Sequence, residues 1–167
     1  MQPQAIHRYR AGMPQLAHAG LSENWLLKEC GHLHWEALAR ATGRELPEFI
    51  DDNGERAYAA FTAVSVDEAE LDRFGEHDTF QIETALCRSG PARHYSVHRV
   101  VAGEQARARI AMSSVFVRRE EVGNNQSVVR ARFAALDHPM SDVPDDAAAM
   151  VRVGKALRVG NLSDELA

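Results

Sequence analysis

The chain has 167 residues, 45% of them hydrophobic, which bounds it to one domain able to bury a real core. No apolar run approaches the roughly 18 residues of a membrane-spanning helix, so no membrane segment is expected. Net charge is −5, and charged residues make up an ordinary 26% of the chain, which speaks against wholesale disorder.

The first twenty residues hold His7, Arg8, Arg10, Pro14 and His18 and no apolar stretch, so no secretory signal is expected there. Gly12, Pro14 and Gly20 break this segment and leave room for one short strand, Ile6–Arg10. Leu21–Thr42 predicts a long helix. Ser22 is placed to cap it, Glu23 complements the positive end, and Gly43 stands where a terminating glycine belongs. At about 100° per residue, Leu26, Cys30, Leu33, Ala37 and Ala41 form one stripe, widened by Leu27 and Leu38. Glu29, His32, Glu36 and Arg40 form a polar stripe. Trp25 and Trp35 lie outside the main apolar arc, so the helix is expected to meet protein on more than one face.

Residues 44–55 read as a loop with Pro47 and the turn Asp51-Asp52-Asn53-Gly54. Then come runs that read as strands: Arg56–Val66, Thr79–Arg88, Arg93–Val101, Gln105–Arg119 and Ser127–Phe133. The connections Ser89-Gly90-Pro91, Ala102-Gly103-Glu104 and Gly123-Asn124-Asn125 are short enough to impose antiparallel pairing. Residues 137–146 read as a linker, followed by a weak helix, Ala147–Leu157, and a polar tail. One domain is therefore expected over 1–136, with linker and C-terminal tail over 137–167.

A helix followed by four or five antiparallel strands must bury one face of a sheet. The simplest solution is α+β: a hot-dog fold, an antiparallel β-sheet wrapped around one long central helix. The alternative is an open α+β sandwich with the helix on one face. The run 57–66 is apolar on both sides, with Ala57, Ala59, Phe61 and Ala63 against Tyr58, Ala60, Val64 and Val66. Such a strand wants protein on both faces, and a dimer or a second hot-dog subunit is expected.

The stretch Met13-Pro14-Gln15-Leu16, continued by Gly20-Leu21-Ser22-Glu23-Asn24-Trp25-Leu26-Leu27-Lys28-Glu29-Cys30-Gly31-His32-Leu33-His34-Trp35, resembles the N-terminal motif of LnmK-type proteins. Arg56-Ala57-Tyr58-Ala59-Ala60-Phe61 and Tyr95-Ser96-Val97-His98 extend the resemblance to about residue 120. That family consists of polyketide-pathway enzymes of double hot-dog fold, and its type member is a bifunctional acyltransferase/decarboxylase. It takes methylmalonyl-CoA and loads a propionyl group onto an acyl carrier protein. The resemblance implies an acyl-CoA or acyl-carrier-protein substrate, no cofactor beyond the CoA or phosphopantetheine of the thioester, and a catalytic role for Tyr58. This chain departs from the family in having room for one hot-dog unit, so a second copy or another chain would supply the other. Single hot-dog proteins are more often thioesterases or dehydratases, which remain alternatives, as does a non-catalytic partner that binds a carrier protein.

Other residues suggest chemistry by type and position. A phenol on a strand, as at Tyr58, can donate to a thioester carbonyl or to an enolate. His34 falls inside the helix's apolar arc and is either a hydrogen-bonded core residue or an acid/base in a dry pocket. Asn24 and Glu23 sit in the first helical turn, where free backbone N–H groups can hold an oxyanion and Glu23 could act as a base. His94, Ser96 and His98 alternate along one strand, which makes them a pocket wall or a water-facing row. His94 and His98 would be about 13 Å apart, too far to share a metal ion, and no metal site is expected. Cys30 and Cys87 have neither metal-ligand spacing nor a disulfide framework, in keeping with a cytoplasmic protein.

Charge is unevenly spread. Residues 88–132 contain nine arginines against three acids, a surplus of six that leaves the rest of the chain at −11. Arg107 and Arg109 share a face, as do Arg130 and Arg132. The expectation is either a basic patch that docks an anion, CoA or an acidic carrier protein, or a solvated sheet face. No nucleic acid or membrane partner is expected.

Overall fold

The computed structural model describes residues 1–90, 92–124, 126–133 and 144–159, without the side chains of 90 and 154–159. Pro91 and Asn125 of two expected turns, most of the expected linker, and the tail from Gly160 lie outside the described residues.

Elements follow in the order β1 (Ala5–Arg10), β2 (Leu16–Ala17), β3 (Gly20–Leu21), α1 (Glu23–Ala41), β4 (Phe49–Ile50), β5 (Arg56–Asp67), a 3₁₀ turn (Leu71–Arg73), β6 (Thr79–Gly90), β7 (Arg93–Ala102), β8 (Gln105–Arg119), β9 (Val128–Arg130) and α2 (Asp145–Val159). A seven-stranded sheet runs β1-β6-β7-β8-β5-β4, with β9 also on β8, and β2-β3 form a small separate pair. β6, β7 and β8 form the expected meander, and Gly103 takes the positive φ (62°) that its tight turn needs. β5 pairs with β8 and not with β6, which follows it in the chain. The expected loop 44–55 holds an unforeseen hairpin: Phe49 pairs with Ala57 and Ile50 with Arg56. Asp51 Oδ1 closes its turn by accepting from the amides of Asn53 (2.9 Å) and Glu55 (3.0 Å).

Residue contacts divide the chain into two units. The first contains 1–48, 65–86 and 96–112 and is built on α1. Ser22 Oγ accepts from the Trp25 amide at 3.2 Å, so the helix starts at the expected cap. Its buried side is Leu26, Cys30, Leu33, His34, Ala37, Leu38 and Ala39. Leu26, Cys30 and Leu33 join Phe80, Ile82, Val100, Ala108, Ile110 and Met112 in one core, so the helix lies on the sheet. Each fully buried leucine there contributes roughly 2 kcal/mol. Trp25 finds its second surface against the rings of Tyr9 (5.4 Å) and Phe80 (6.0 Å), and Tyr9 donates to Glu29 Oε1 at 2.7 Å.

The second unit contains 49–64, 87–95 and the residues from Ser113 onward. Phe49, Phe116 and Phe133 make an aromatic cluster at 4.7–4.9 Å. The buried Asp51 carboxylate meets Arg118 Nε at 3.2 Å. α2 spans a wider stretch than expected, opening on Asp145 and Asp146, whose charges complement the helix's positive end.

Within this chain β5 is only partly covered. Ala57 and Ala59 are buried, whereas Tyr58, Phe61 and Val64 are 38%, 41% and 46% exposed. The in-out alternation slips after Ala59, because Phe61 is exposed although it shares parity with the buried alanines.

Candidate functional site

In the first unit, α1, β6 and β7 bring four polar side chains into line. His34 Nδ1 lies 2.6 Å from Ser96 Oγ, Ser96 Oγ lies 2.9 Å from His98 Nε2, and His98 Nδ1 lies 3.0 Å from Thr84 Oγ1. All four are at most 1% exposed. His34 enters this line because it shares the buried arc of α1 with Leu33 and Ala37. Ser96 and His98 enter because they point the same way from β7. Burial, reinforced by nearby His7, pushes the His98 pKa down from 6.5 to about 3, so the ring is neutral at physiological pH.

This arrangement corrects part of the reading of β7. Ser96 and His98 do not face water, and Ser96 spends its hydroxyl on two rings, which leaves it poorly placed as a substrate contact. His94 lies in the second unit, 1% exposed, with its ring edge against Phe116 at 5.2 Å. Strand alternation puts Ser96 and His98 on one side, but it cannot tell a wet face from a covered one.

The remaining candidates fall elsewhere. Glu23 and Asn24 are exposed in the first turn of α1. They stand about three turns from His34, roughly 16 Å along the axis, too far to touch one reacting atom with it. Tyr58 projects from β5 in the second unit, partly exposed.

The expected basic row is also changed by the fold. Arg107 and Arg109 do share a face, but Arg107 Nη1 meets Glu70 at 2.6 Å and Arg109 Nη1 meets Asp67 at 3.3 Å. Arg99 pairs with Glu83 at 3.3 Å, and Arg118 with Asp51. Acids from outside 88–132 thus neutralise much of its surplus, and a local sum of charge overstated the patch.

Two arginines outside that segment were missed. Arg8 and Arg10 sit opposite Gln81 and Thr79 across β1 and β6, and neither has an ion pair among the described residues. With Tyr9, Phe80, Val101 and Gly103, these four line a groove of about 350 Å³. Guanidinium, amide and hydroxyl groups there suit an anionic oxygen such as a phosphate. The signal was available: Arg8 and Arg10 alternate on a short edge strand.

Neither Cys30 nor Cys87 is in a disulfide, and both are 0% exposed. Burial, then the nearby Glu29 charge, pushes the Cys30 thiol up to about 12. Because the thiolate is the reactive form, native protein at pH 8 should resist an aromatic disulfide reagent and release both thiols only in denaturant. Rapid labelling without denaturant would contradict this burial. Among the described residues, no helix is long and apolar enough to cross a membrane.

No family model and no curated protein matches the chain. Solved structures do. A 1,4-dihydroxy-2-naphthoyl-CoA thioesterase from Synechocystis is 16% identical, with a TM-score of 0.52 over 68% of this chain and 81% of its own. A probable thioesterase from Bartonella henselae is 14% identical, with a TM-score of 0.54 over 70% of this chain and 91% of its own. A gentisyl-coenzyme A thioesterase is 11% identical, with a TM-score of 0.55 over 90% of this chain and 98% of its own. At such identities the likeness speaks to fold alone, and it agrees with the helix-on-antiparallel-sheet arrangement above: the chain has the hot-dog fold.

Proposed function

We propose that the chain is an enzyme acting on acyl thioesters of CoA or an acyl carrier protein. The observation that carries this reading is the reach of the likeness: 90% of this chain aligns with 98% of a CoA-thioester hydrolase. Two reactions fit the same substrate class. Hydrolysis is favoured by the thioesterase neighbours, and it needs a base for water, a role open by type to Glu23. Decarboxylation coupled to acyl transfer, in polyketide-type biosynthesis, is favoured by the resemblance of residues 13–35 to LnmK-type proteins. Loss of CO₂ from a malonyl-type thioester leaves an enolate oxygen, which needs donors aimed at it. Tyr58, His34, or Asn24 with the opening amides of α1 are alternative donors by type. The groove at Arg8 and Arg10 is suited to the phosphates of CoA. Two buried thiols fit a reducing cytoplasm.

The test is mass spectrometry of the purified chain with methylmalonyl-CoA and an acyl carrier protein. CO₂ with acylated carrier marks decarboxylation and transfer, and free acid with thiol marks hydrolysis. An alkene from a hydroxyacyl thioester marks dehydration. Unchanged thioesters across the panel would leave only a non-catalytic binding role. Where turnover is found, Tyr58→Phe should lower it by about 10²–10³ if the phenol is an oxyanion donor, with thermal unfolding unchanged. Equal turnover would remove Tyr58 from the mechanism.

The exposed Tyr58, Phe61 and Val64 on one strand favour association with a second copy or another hot-dog subunit. Light scattering at micromolar concentration should report a dimer, and Phe61→Arg should shift it toward monomer. A monomeric native chain would oppose this assembly.

A further inference from the structure

In the first unit, the sheet face turned away from α1 carries charge that only partly cancels. Phe80, Ile82, Val100, Ala108 and Ile110 belong to the core with α1. Strand alternation therefore puts Gln81 and Glu83 of β6, Arg99 and Val101 of β7, and Arg107 and Arg109 of β8 on the other face. The register of β1 on β6 sets Arg10 beside Thr79 and Arg8 beside Gln81. On this face Arg99 meets Glu83 at 3.3 Å, Arg107 meets Glu70 at 2.6 Å and Arg109 meets Asp67 at 3.3 Å. Arg8 and Arg10 are exposed and have no such partner among the described residues. Glu83, the one acid of β6, is engaged twice: Oε1 accepts from Gln81 Nε2 at 3.0 Å and Oε2 from Arg99. The uncancelled positive charge of this face therefore sits on β1.

These two guanidiniums edge the groove of about 350 Å³, a volume within the roughly 300–1,000 Å³ of small-molecule sites. Its lining changes character across three strands. Arg8 and Arg10 stand on β1, the Thr79 hydroxyl and Gln81 amide on β6, and Val101 and Gly103 on β7 and its turn. None of the described residues that line it is acidic. Arg8 and Arg10 are roughly 7 Å apart along the strand, so their forks can hold two phosphate groups of one molecule. Gln81 spends one N–H on Glu83, which leaves a second N–H and a carbonyl for a polar ligand group. Gly103 has no side chain, and nothing lies within 4 Å of where one would start. Beside Val101 it leaves an open, weakly polar end on which a flat ring can rest. Anionic oxygens at one end and a flat ring at the other are the chemistry of a phosphorylated nucleoside. A bare phosphate would use only the first end, and an acyl chain only the second.

We propose that this groove binds a phosphorylated nucleoside, with its phosphates on Arg8 and Arg10 and its base over Val101 and Gly103. On the acyl-thioester reading above, on which this further step rests, the nucleoside is that of CoA. The groove then favours CoA-borne over carrier-borne thioesters, because the phosphopantetheine of a carrier protein has one phosphate and no base. Arg8 and Arg10 act here in binding and selection, with no part in the chemical step.

The test is titration of the ¹⁵N-labelled full chain with adenosine 3′,5′-bisphosphate, followed by amide shifts and by calorimetry. The shifts should gather at Arg8, Arg10, Gln81, Val101 and Gly103, and binding should weaken as salt rises. Arg8→Gln with Arg10→Gln should weaken it about 10–100-fold and leave thermal unfolding unchanged, because both side chains are exposed and unpaired. Arg107→Gln with Arg109→Gln, whose partners are Glu70 and Asp67, should change it less than twofold. Absence of binding at millimolar bisphosphate, shifts gathered elsewhere, or equal affinity in the Arg8/Arg10 variant overturns the proposal. Inorganic phosphate binding as tightly as the bisphosphate removes the base from it and overturns it as well. So does an acyl carrier protein that shifts these amides where the bisphosphate does not. None of these readouts needs turnover. A chain that binds the bisphosphate here but is inert toward thioesters sinks the functional reading alone, and turnover without binding here sinks the groove alone.

Discussion

Gly20→Ala is expected to be among the most damaging single substitutions, at roughly 3–5 kcal/mol of stability. Gly20 has φ +122°, a conformation that L side chains rarely adopt. A Cβ there would sit 2.8 Å from both Asp72 Cα and the Leu71 carbonyl carbon, and would overlap the Leu71 oxygen. These are backbone atoms, so no side-chain tip can swing aside. The segment cannot easily retreat either. The Ser22 amide donates to Gln15 at 2.7 Å, Leu21 is part of the core, and Ser22 caps α1. Gly54→Ala is the control. Gly54 also has positive φ (78°), but nothing lies within 4 Å of its would-be Cβ, so only the conformational cost of about 1 kcal/mol remains. Urea unfolding of the two variants isolates the close approach, and equal losses would show that it does not matter.

Acid should destabilise the protein through His98 well before most carboxylates titrate. In the folded chain its pKa lies near 3, against 6.5 ordinarily, first because the ring is desolvated and then because His7 is close. Between these values the unfolded chain binds a proton that the native chain refuses. Stability is therefore fully present above pH 6.5 and is lost as pH falls toward 3. The slope approaches about 1.4 kcal/mol per pH unit, for a total of roughly 4–5 kcal/mol. Protonation would also cost His98 one of its two hydrogen bonds, since an imidazolium cannot accept from Thr84 or Ser96. His98→Gln should start less stable and have a flatter profile between pH 6.5 and 5. Parallel profiles for the two proteins would mean that His98 titrates normally. The groups facing His98 are Thr84, Ser96, His34 through Ser96, and His7, whose Nε2 lies 3.6 Å from Glu36. His7→Gln in parallel separates its charge from the effect of burial.

Much of the candidate site was visible residue by residue but not as a connected group. His34 was placed correctly in the apolar arc of α1, and Ser96 and His98 on one face of β7, because side-chain direction follows from helical or strand period. Thr84 was legible only as a residue inside the expected strand Thr79–Arg88. That these four touch depends on which strand lies beside β7 and how far β6 has slid along it, and neither is encoded within any one segment. The arginine surplus of 88–132 could not be weighed from the sequence for the same reason, since its ion-pair partners Asp67, Glu70, Glu83 and Asp51 come from other elements.

Local physics determined the elements. The Ser22 cap, the 3.6-residue stripe and the glycine turns located α1 and the β6-β7-β8 meander to within a residue or two, because each depends on neighbours a few positions away. Tertiary structure decided what local patterns leave degenerate. The two-residue β4 is too short to have a period, and β5 lies beside β8 because sheet order is a choice among long-range pairings. Whether a polar row faces water or protein was likewise decided there, because alternation defines a side of a strand and only the packing on that side makes it an interior.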